Sequence, residues 1–593
     1  MPPRRKTVGP PTMADLRDTL WRAADKLRGS VDASQYKDFV LGLVFLKYVS
    51  DAFGERREAI RADVRAVGVP DAQVEPFLED KSEYLRRGAF WVPRQARWDH
   101  LAGNATSSGI GRLLDAAMDT IMRENGALAG VLPKIFDSPS VDQRRLGELV
   151  DLLGDARFTG HRLAVPAQPA ADGAAQADGT AQFAEPLSAT AATKSASATT
   201  KSASVTTKSA SVTTDPVTIT TESVTRSARD VLGEVYEYFL ERFARAEGKR
   251  GGEFYTPASV VRLMVEIIEP YLGRVYDPCC GSGGMFVQAE RLIDQRRGRR
   301  GDITVYGQEL NERTWRLAKM NLAIHGVTGD LGSRWDDTLR VDLHPDLRAD
   351  FVLANPPFNM SDWARATDDP RWRYGVPPAG NANFAWMQHI ISKLAENGVA
   401  GVVMANGSMS SRQSGEGEIR AALVEADLVA CMVALPPQLF RSTQIPACLW
   451  FFAKNKTQTV GGALADRRGE TLFIDARGMG KIVDRTERVL TDDDLTTIAD
   501  TYRAWRGTAA AHRKRIAYAD IRGFCYSATS EEIRAHGHVL APGRYVGAVE
   551  PDTSGDEPNA DKITRLTGEL LAHFEEAARL EKEVRTQLEC LDG

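Results

Sequence analysis

Asn355, Pro356, Pro357 and Phe358 form a tetrapeptide that could activate an aromatic amine. They follow the apolar run 352–354, which predicts a buried strand, and open α/β sheets bind ligands at the carboxyl ends of their strands. The exocyclic amine of a base is a poor nucleophile because the ring shares its lone pair. The Asn355 side-chain oxygen and the Pro356 carbonyl could accept its hydrogens and free that lone pair, with both prolines fixing the backbone. Phe358 offers a flat face for a base extruded from a duplex.

A glycine-rich loop at residues 277–284 lies upstream, between an apolar run and a helical pattern. Its glycines allow the backbone to approach a ligand closely. Glu309 closes the next apolar run, where a carboxylate commonly accepts hydrogen bonds from ribose hydroxyls. The loop has neither the G-x-G-x-x-G spacing of dinucleotide sites nor the Gly-Lys-Ser/Thr of a P-loop. An adenosine ligand without phosphates, such as S-adenosylmethionine, therefore suits it better.

The two motifs lie in a region, residues 225–485, where short apolar runs alternate with helical patterns. This alternation predicts an α/β domain with a mostly parallel, Rossmann-like sheet and helices on both faces. The sheet would hold each motif at the end of a strand. The apolar runs are residues 274–276, 303–306, 351–354, 399–404, 428–435 and 448–453.

Three further regions surround this domain. Apolar residues at helical spacing predict an all-helical N-terminal domain over residues 14–160. Residues 161–224 are rich in Ala, Ser and Thr and contain a seven-residue repeat without large apolar residues, which favours a flexible linker. The C-terminal region, residues 486–593, ends in an amphipathic helix at 563–591. That helix could pack on its own protein or on a partner helix.

Composition narrows the class of protein. The chain has 593 residues, a formal charge of −5 and six cysteines, none in a C-x-x-C pair. We therefore expect neither structural zinc nor any other bound metal. We expect a chain with reduced cysteines in the cytoplasm. No apolar run could span a membrane. The net charge gives no overall attraction to nucleic acid, so charge that binds DNA phosphates must be local or come from a partner.

Together these motifs resemble amino-methyltransferases, and more closely the modification subunits of type I restriction–modification systems. The resemblance covers most of the chain apart from the Ser/Thr-rich linker. The same resemblance extends to five other segments, at residues 20–29, 41–48, 230–233, 252–257 and 540–547. It implies a fold of the S-adenosylmethionine-dependent methyltransferase class.

The resemblance also implies which residues hold S-adenosylmethionine. One wall would consist of Glu253, Phe254, Tyr255, Thr256, Pro257 and Ala258, with Thr256 near the methionine end. The cofactor would lie against Asp277, Gly281, Ser282, Gly283 and Gly284. Glu309 would take the ribose, and Asp337, or its neighbour Asp336, would bond the adenine.

The function implied is that of a site-specific DNA methyltransferase (adenine-specific), which transfers a methyl group to adenine N6 in double-stranded DNA. Two modification subunits and one specificity subunit would form the complex, and a restriction subunit would add DNA cleavage. The mechanism would be direct in-line transfer, without a covalent enzyme intermediate. Three alternatives stay open: N4 of cytosine, the amide of a protein glutamine, or a non-catalytic scaffold that binds the cofactor.

Two other segments have competing interpretations. Cys279 follows Pro278, as the nucleophile of cytosine-C5 methyltransferases does, but its place inside the cofactor loop favours packing. The stretch 371–386 mixes cations and aromatic residues just after the catalytic strand. It could hold a flipped base, or it could simply cap the core.

Overall fold

The structure, a computed structural model, describes residues 36–86, 89–155, 233, 235–240, 242, 256–295, 302–440, 446–459, 462–483, 487–548 and 559–589. The predicted linker at 161–224 lies outside these residues. None of the helices within this part of the chain is long and apolar enough to cross a membrane.

The N-terminal region is helical in the part that the structure describes. Its helices are α1 (Tyr36–Ala66), α2 (Glu75–Leu78), α3 (Lys81–Leu85), α4 (Trp98–Ala102), α5 (Ile110–Glu124) and α6 (Gln143–Asp155). Their apolar faces form one core, to which Leu317, Met320 and Ile324 also belong. The Tyr48 hydroxyl donates to the Ile324 carbonyl at 3.1 Å. The N-terminal helices therefore pack directly on the catalytic region.

The described part of the chain from residue 256 onward contains a nine-stranded sheet in the order β13-β10-β6-β7-β5-β4-β1-β2-β3. Its strands are β1 (Gly273–Asp277), β2 (Ile303–Gly307), β3 (Gly329–Asp330), β4 (Ala349–Ala354), β5 (Leu394–Ala405), β6 (Val429–Ala434), β7 (Ala447–Ala453), β10 (Glu470–Asp475) and β13 (Cys525–Thr529). Two small hairpins lie outside it: β8 (Gln458–Thr459) with β9 (Gly462–Ala463), and β11 (Lys481–Ile482) with β12 (Arg488–Val489).

Most neighbouring strands of this sheet are parallel. β7 is antiparallel to β5 and β6, and β13 is antiparallel to β10. The remaining pairs, β1 with β2 and β4, β2 with β3, β4 with β5, and β6 with β10, are parallel. The predicted mostly parallel α/β sheet is confirmed, as are the six strands predicted from apolar runs. β13 belongs to this sheet, so the boundary predicted at residue 485 falls within the part of the chain that builds it.

Helices cover both faces of the sheet. They are α7 (Ala258–Ile268), α8 (Gly284–Gln295), α9 (Glu312–His325), α10 (Asn383–Lys393), α11 (Glu416–Glu425), α12 (Asp492–Arg506), α13 (Ala509–Lys514) and α14 (Ser530–Ala535). A further helix, α15 (Asn559–Glu589), follows them in the chain. Side chains of a strand alternate between faces. Along β4, Phe351 and Leu353 join the core under α7, α8 and α12, whereas Val352 and Ala354 join the core under α10 and α11. A strand buried on both faces needs a continuous apolar run, which β4 has.

The strand order changes direction at β1. The chain runs outward from β1 to β2 and β3, and then returns to the other side of β1 as β4. Open α/β sheets bind ligands in the crevice at such a switch point, beyond the carboxyl ends of the strands. Asp277 ends β1 and Asn355 follows β4. Both predicted motifs therefore lie at this crevice.

Candidate active site

The glycine loop leaves β1 at Asp277 and enters α8 at Gly284. Gly281 has φ 54° and Gly283 has φ 77°, a left-handed backbone that favours glycine. The Asp277 side chain accepts a hydrogen bond from the Cys279 amide at 3.0 Å. A Cβ added at Gly284 would have no atom within 4 Å, so the loop leaves open space in front of the helix.

Glu309 closes the loop from the β2 side. Its Oε2 accepts from the Gly281 amide at 3.1 Å, and its Oε1 accepts from the Asn311 amide at 2.9 Å. Burial raises the pKa of Glu309. Burial, with the nearby Glu309 carboxyl, raises the pKa of Asp277 to about 7. Two buried acids thus line the crevice, where a positively charged ligand would stabilise their ionised forms.

Asp337 faces the same crevice, whereas Asp336 does not. The Asp336 carboxylate pairs with Arg334 and Arg340. Asp337 accepts from the Leu339 amide at 2.9 Å and lines the cavity described below. Of these two acids, Asp337 is therefore the one that lines the cavity, and its bond to the cofactor adenine stays a prediction.

The turn that follows β4 places the Asn355 side chain at the crevice. The Asn355 Nδ2 donates to the Thr256 hydroxyl at 2.9 Å. This bond fixes the orientation of the amide. The Asn355 Oδ1 is buried and has no hydrogen-bond partner among the described residues. A buried acceptor without a partner is costly, so this oxygen is available to a ligand that brings a donor.

The rest of the tetrapeptide contributes only in part to the lining of the crevice. Pro357 lines the cavity, but Pro356 and Phe358 are not among its lining residues. Phe358 is half-buried and packs edge-on against Phe440, with the ring centroids 6.2 Å apart. The position of Phe358 as the stacking face for a base therefore stays a prediction.

One cavity of about 180 Å³ joins the two motifs. Thr256, Asp277, Gly281, Ser282, Gly284, Glu309, Asp337, Asn355 and Pro357 are the predicted residues that line it. Gly283, Pro257 and Ala258 lie outside the lining, and Glu253, Phe254 and Tyr255 lie outside the described residues. The open space at Gly284 and the two acids fit S-adenosylmethionine, whose sulfonium is cationic and whose ribose offers hydroxyl donors.

Other lining residues were not predicted. They are Val261, Pro278, Cys279, Cys280, Met285, Leu310, Thr338, Met360, Asp362 and Trp386. Trp386 is buried, and its indole N–H has no partner among the described residues. The sequence carried a signal for Trp386, because aromatic residues follow the apolar run at 351–354. Burial raises the pKa of the Cys279 thiol well above its ordinary value, so Cys279 is poorly suited to act as a nucleophile.

The segment 371–386 mainly caps the core. Arg371, Trp372 and Phe384 turn inward, and only Trp386 lines the cavity. Of the two interpretations that the sequence left open, packing describes most of this segment.

Comparison with known protein families identifies two matching models. The model described as "N-6 DNA Methylase" matches residues 227–553. The model described as "HsdM N-terminal domain" matches residues 16–153. The first alone spans more than half of the chain.

Similar proteins are methylase subunits of type I restriction enzymes. The HindI methylase subunit of Haemophilus influenzae is 42% identical over 511 residues, which cover 84% of this chain and 99% of the relative. The MjaIX methylase subunit of Methanocaldococcus jannaschii is 33% identical, over 97% of this chain and 91% of the relative.

A solved structure supports the fold. The methyltransferase subunit of a type I restriction-modification system from Streptococcus thermophilus superposes with a TM-score of 0.65 at 24% identity. The match covers 90% of this chain and 99% of that one.

Proposed function

This chain belongs to the family of type I restriction enzyme methylase subunits, and we propose that it transfers a methyl group from S-adenosylmethionine to the N6 amine of adenine in DNA. The observation that carries the proposal is the buried Oδ1 of Asn355, which has no partner in the part of the chain that the structure describes. Asn355 lies on the same cavity as the glycine loop and Glu309. An amine that donates to this oxygen would lie next to the cofactor.

The residues of this chain position and polarise the amine. S-adenosylmethionine, when bound, supplies a methyl group already activated by its sulfonium. The Thr256 hydroxyl holds the Asn355 amide so that Oδ1 is left for the substrate. Asn355 and the Pro356 carbonyl accept the two amine hydrogens, which moves the nitrogen lone pair out of conjugation with the ring. The target base must leave the duplex to reach this buried acceptor.

The nucleoside product tests the proposal. The full chain, its specificity partner and duplex DNA are incubated with S-adenosylmethionine, and the DNA is digested to nucleosides. We expect N6-methyladenine, and at least about a hundredfold less of it with Asn355→Ala at early times. N4-methylcytosine alone would overturn the choice of adenine, and methylated protein glutamine without methylated DNA would overturn the substrate class. Bound cofactor without any methylated product would favour the scaffold.

We further propose that α15 docks on the specificity subunit. Residues 563–582 of this helix are exposed along their whole length. The large apolar side chains recur at helical spacing: Ile563 is 65% exposed, Leu566 47%, Leu570 52%, Phe574 61% and Leu580 46%. An amphipathic helix with an uncovered apolar face is typical of a docking element. The net charge of −5 agrees with DNA reading by a partner.

Substitutions on opposite faces of α15 test this docking. Leu570→Glu combined with Phe574→Glu should abolish co-purification with the specificity subunit and leave cofactor binding unchanged. Glu569→Ala combined with Glu576→Ala, on the polar face, is the matched control and should retain the complex. A complex that still forms with Leu570→Glu and Phe574→Glu would contradict docking through the apolar face of α15.

A further inference from the structure

The Arg371 side chain is only 14% exposed and turns into the protein. Its Nη1 donates to the Thr338 carbonyl and to His389 Nδ1, each at 3.0 Å. Its Nη2 donates to the Leu339 carbonyl at 2.6 Å. On the other side the guanidinium pairs with Asp369. A fork of fixed N–H donors therefore connects groups that are far apart in the chain.

These contacts join separate walls of the cavity. Thr338 lines the cavity and donates through its hydroxyl to the Pro278 carbonyl at 2.6 Å. Asp337, which also lines it, immediately precedes Thr338. His389 lies on α10, three residues after Trp386, and residues at this spacing share one face of a helix. Arg371 thus links the 337–339 segment to the helix that carries Trp386.

His389 is held in one tautomer by this arrangement. A guanidinium can only donate, so Nδ1 of His389 accepts and carries no hydrogen. The neutral imidazole then carries its hydrogen on Nε2, which donates to the Tyr276 hydroxyl on β1 at 3.1 Å. Burial, reinforced by the Arg371 cation, lowers the pKa of His389 to about 3. The charges of Asp342, Lys393 and Asp369 also act on this ring, and His389 stays neutral at physiological pH.

We propose that Arg371 is a positioning residue for the cofactor, which holds the segment carrying Asp337 and Thr338 against α10 through His389. The inference rests on the proposed function, because it takes the cavity as the S-adenosylmethionine site. Without the guanidinium, two backbone carbonyls and His389 Nδ1 would lose their donor. Buried acceptors that lose their partner draw in water or move. The cavity wall around Asp337 would then shift even in the protein without cofactor.

Calorimetric titration of the full chain with S-adenosylmethionine tests the proposal. We expect Arg371→Met to weaken binding about tenfold, since three acceptors lose a charged donor. Asp369→Asn keeps an oxygen that can accept from Arg371 and leaves the contacts of Arg371 with Thr338, Leu339 and His389 in place, so it should bind within about twofold of wild type. Unchanged affinity in Arg371→Met would overturn the proposal. A wild-type chain that binds no S-adenosylmethionine would instead overturn the proposed function.

Variants of His389 provide a second test, which does not depend on how well Arg371→Met folds. His389→Gln offers an oxygen to Arg371 and an N–H to Tyr276, so it should retain affinity within about threefold. His389→Leu removes both the acceptor for Arg371 and the donor to Tyr276. It should therefore weaken S-adenosylmethionine binding about as much as Arg371→Met does. Equal affinity of the Gln and Leu variants would contradict a positioning role.

Steady-state kinetics separate positioning from loss of folded protein. In the complex with the specificity subunit, Arg371→Met should raise KM for S-adenosylmethionine about tenfold and leave kcat within a fewfold, because Asn355 is untouched. Partial unfolding would lower kcat and the number of calorimetric binding sites with KM unchanged. That second pattern would overturn the inference.

Discussion

The turns that follow β1 and β4 lie at the same crevice, but their polar atoms are satisfied in different ways. At the β1 turn, Asp277 accepts from Cys279, and both oxygens of Glu309 accept from backbone amides. At the β4 turn, Asn355 is anchored through Nδ2 while its Oδ1 has no partner among the described residues. At the first turn, backbone amides already hold the carboxylates in place, and a ligand can lie against them. The second leaves one acceptor without a partner among the described residues, available to a ligand.

This difference assigns separate tasks to the two turns. Changes in the β1 turn should alter cofactor affinity and leave the chemistry of bound cofactor intact. Changes in the β4 turn should alter the rate of methyl transfer and leave cofactor affinity intact. Each prediction below tests this division. A β1-turn variant that changed only the transfer rate, or a β4-turn variant that changed only cofactor affinity, would contradict it.

The largest effect on affinity is expected from filling the space at Gly284. Gly284→Val places two methyl groups where a Cβ has no atom within 4 Å, so the protein should fold normally while the cofactor is excluded. We expect S-adenosylmethionine affinity to fall by about ten- to a hundredfold. Gly126→Val is the matched control, since Gly126 also has free space but lies in the N-terminal region. Normal calorimetric affinity in Gly284→Val would mean that the cofactor lies elsewhere.

A smaller effect is expected from pH. Because the pKa of Asp277 is raised to about 7, its carboxyl is mostly neutral at pH 6 and mostly ionised at pH 8. An anion favours a cationic ligand, so affinity for S-adenosylmethionine should rise about tenfold over this range. Stability without ligand should change in the opposite direction and fall as pH rises through 7, because burial penalises the ionised form.

Asp277→Asn is the control for the pH experiment and should remove most of the pH dependence of affinity. S-adenosylhomocysteine, which lacks the sulfonium charge, should show a shallower dependence with the wild-type chain. An equally steep rise for both ligands would mean that attraction between Asp277 and the sulfonium is not its cause.

The smallest effect is expected at Thr256. Thr256→Val keeps the shape of the side chain but removes the oxygen that accepts from Asn355. The Asn355 amide would then be free to rotate. Since one such bond contributes about 1 kcal/mol, the methyl-transfer rate at saturating cofactor should fall about fivefold. Thr256→Ser keeps the hydroxyl and should behave like wild type. A loss of cofactor affinity without a loss of rate would place Thr256 with the β1 turn instead.

The central strands and both turns could be predicted from the sequence because their signals are local. β4 to β7 are buried on both faces and therefore read as continuous apolar runs. The glycine loop and the tetrapeptide each occupy fewer than ten consecutive residues. The edge strand β13 lacks such a run, and its pairing with β10 joins segments on either side of residue 485.

The contacts that orient the site could not be predicted, because they join residues distant in the chain. Thr256 and Asn355 are 99 positions apart, and Tyr276 and His389 are 113 apart. Nothing in the residues next to Arg371 shows that it turns inward rather than towards a nucleic acid. Side-chain direction in an irregular segment depends on which acceptors the fold brings near it, here two carbonyls and His389.

A single-turnover experiment on Asn355→Ala tests the central claim most directly. The complexes of wild-type and variant chains with the specificity subunit are saturated with labelled S-adenosylmethionine, mixed with duplex DNA and quenched at intervals. We predict that the variant binds the cofactor within about twofold of wild type and transfers methyl groups about a hundred- to a thousandfold more slowly. A variant that methylates adenine at the wild-type rate would contradict the claim that the free oxygen of Asn355 receives the amine.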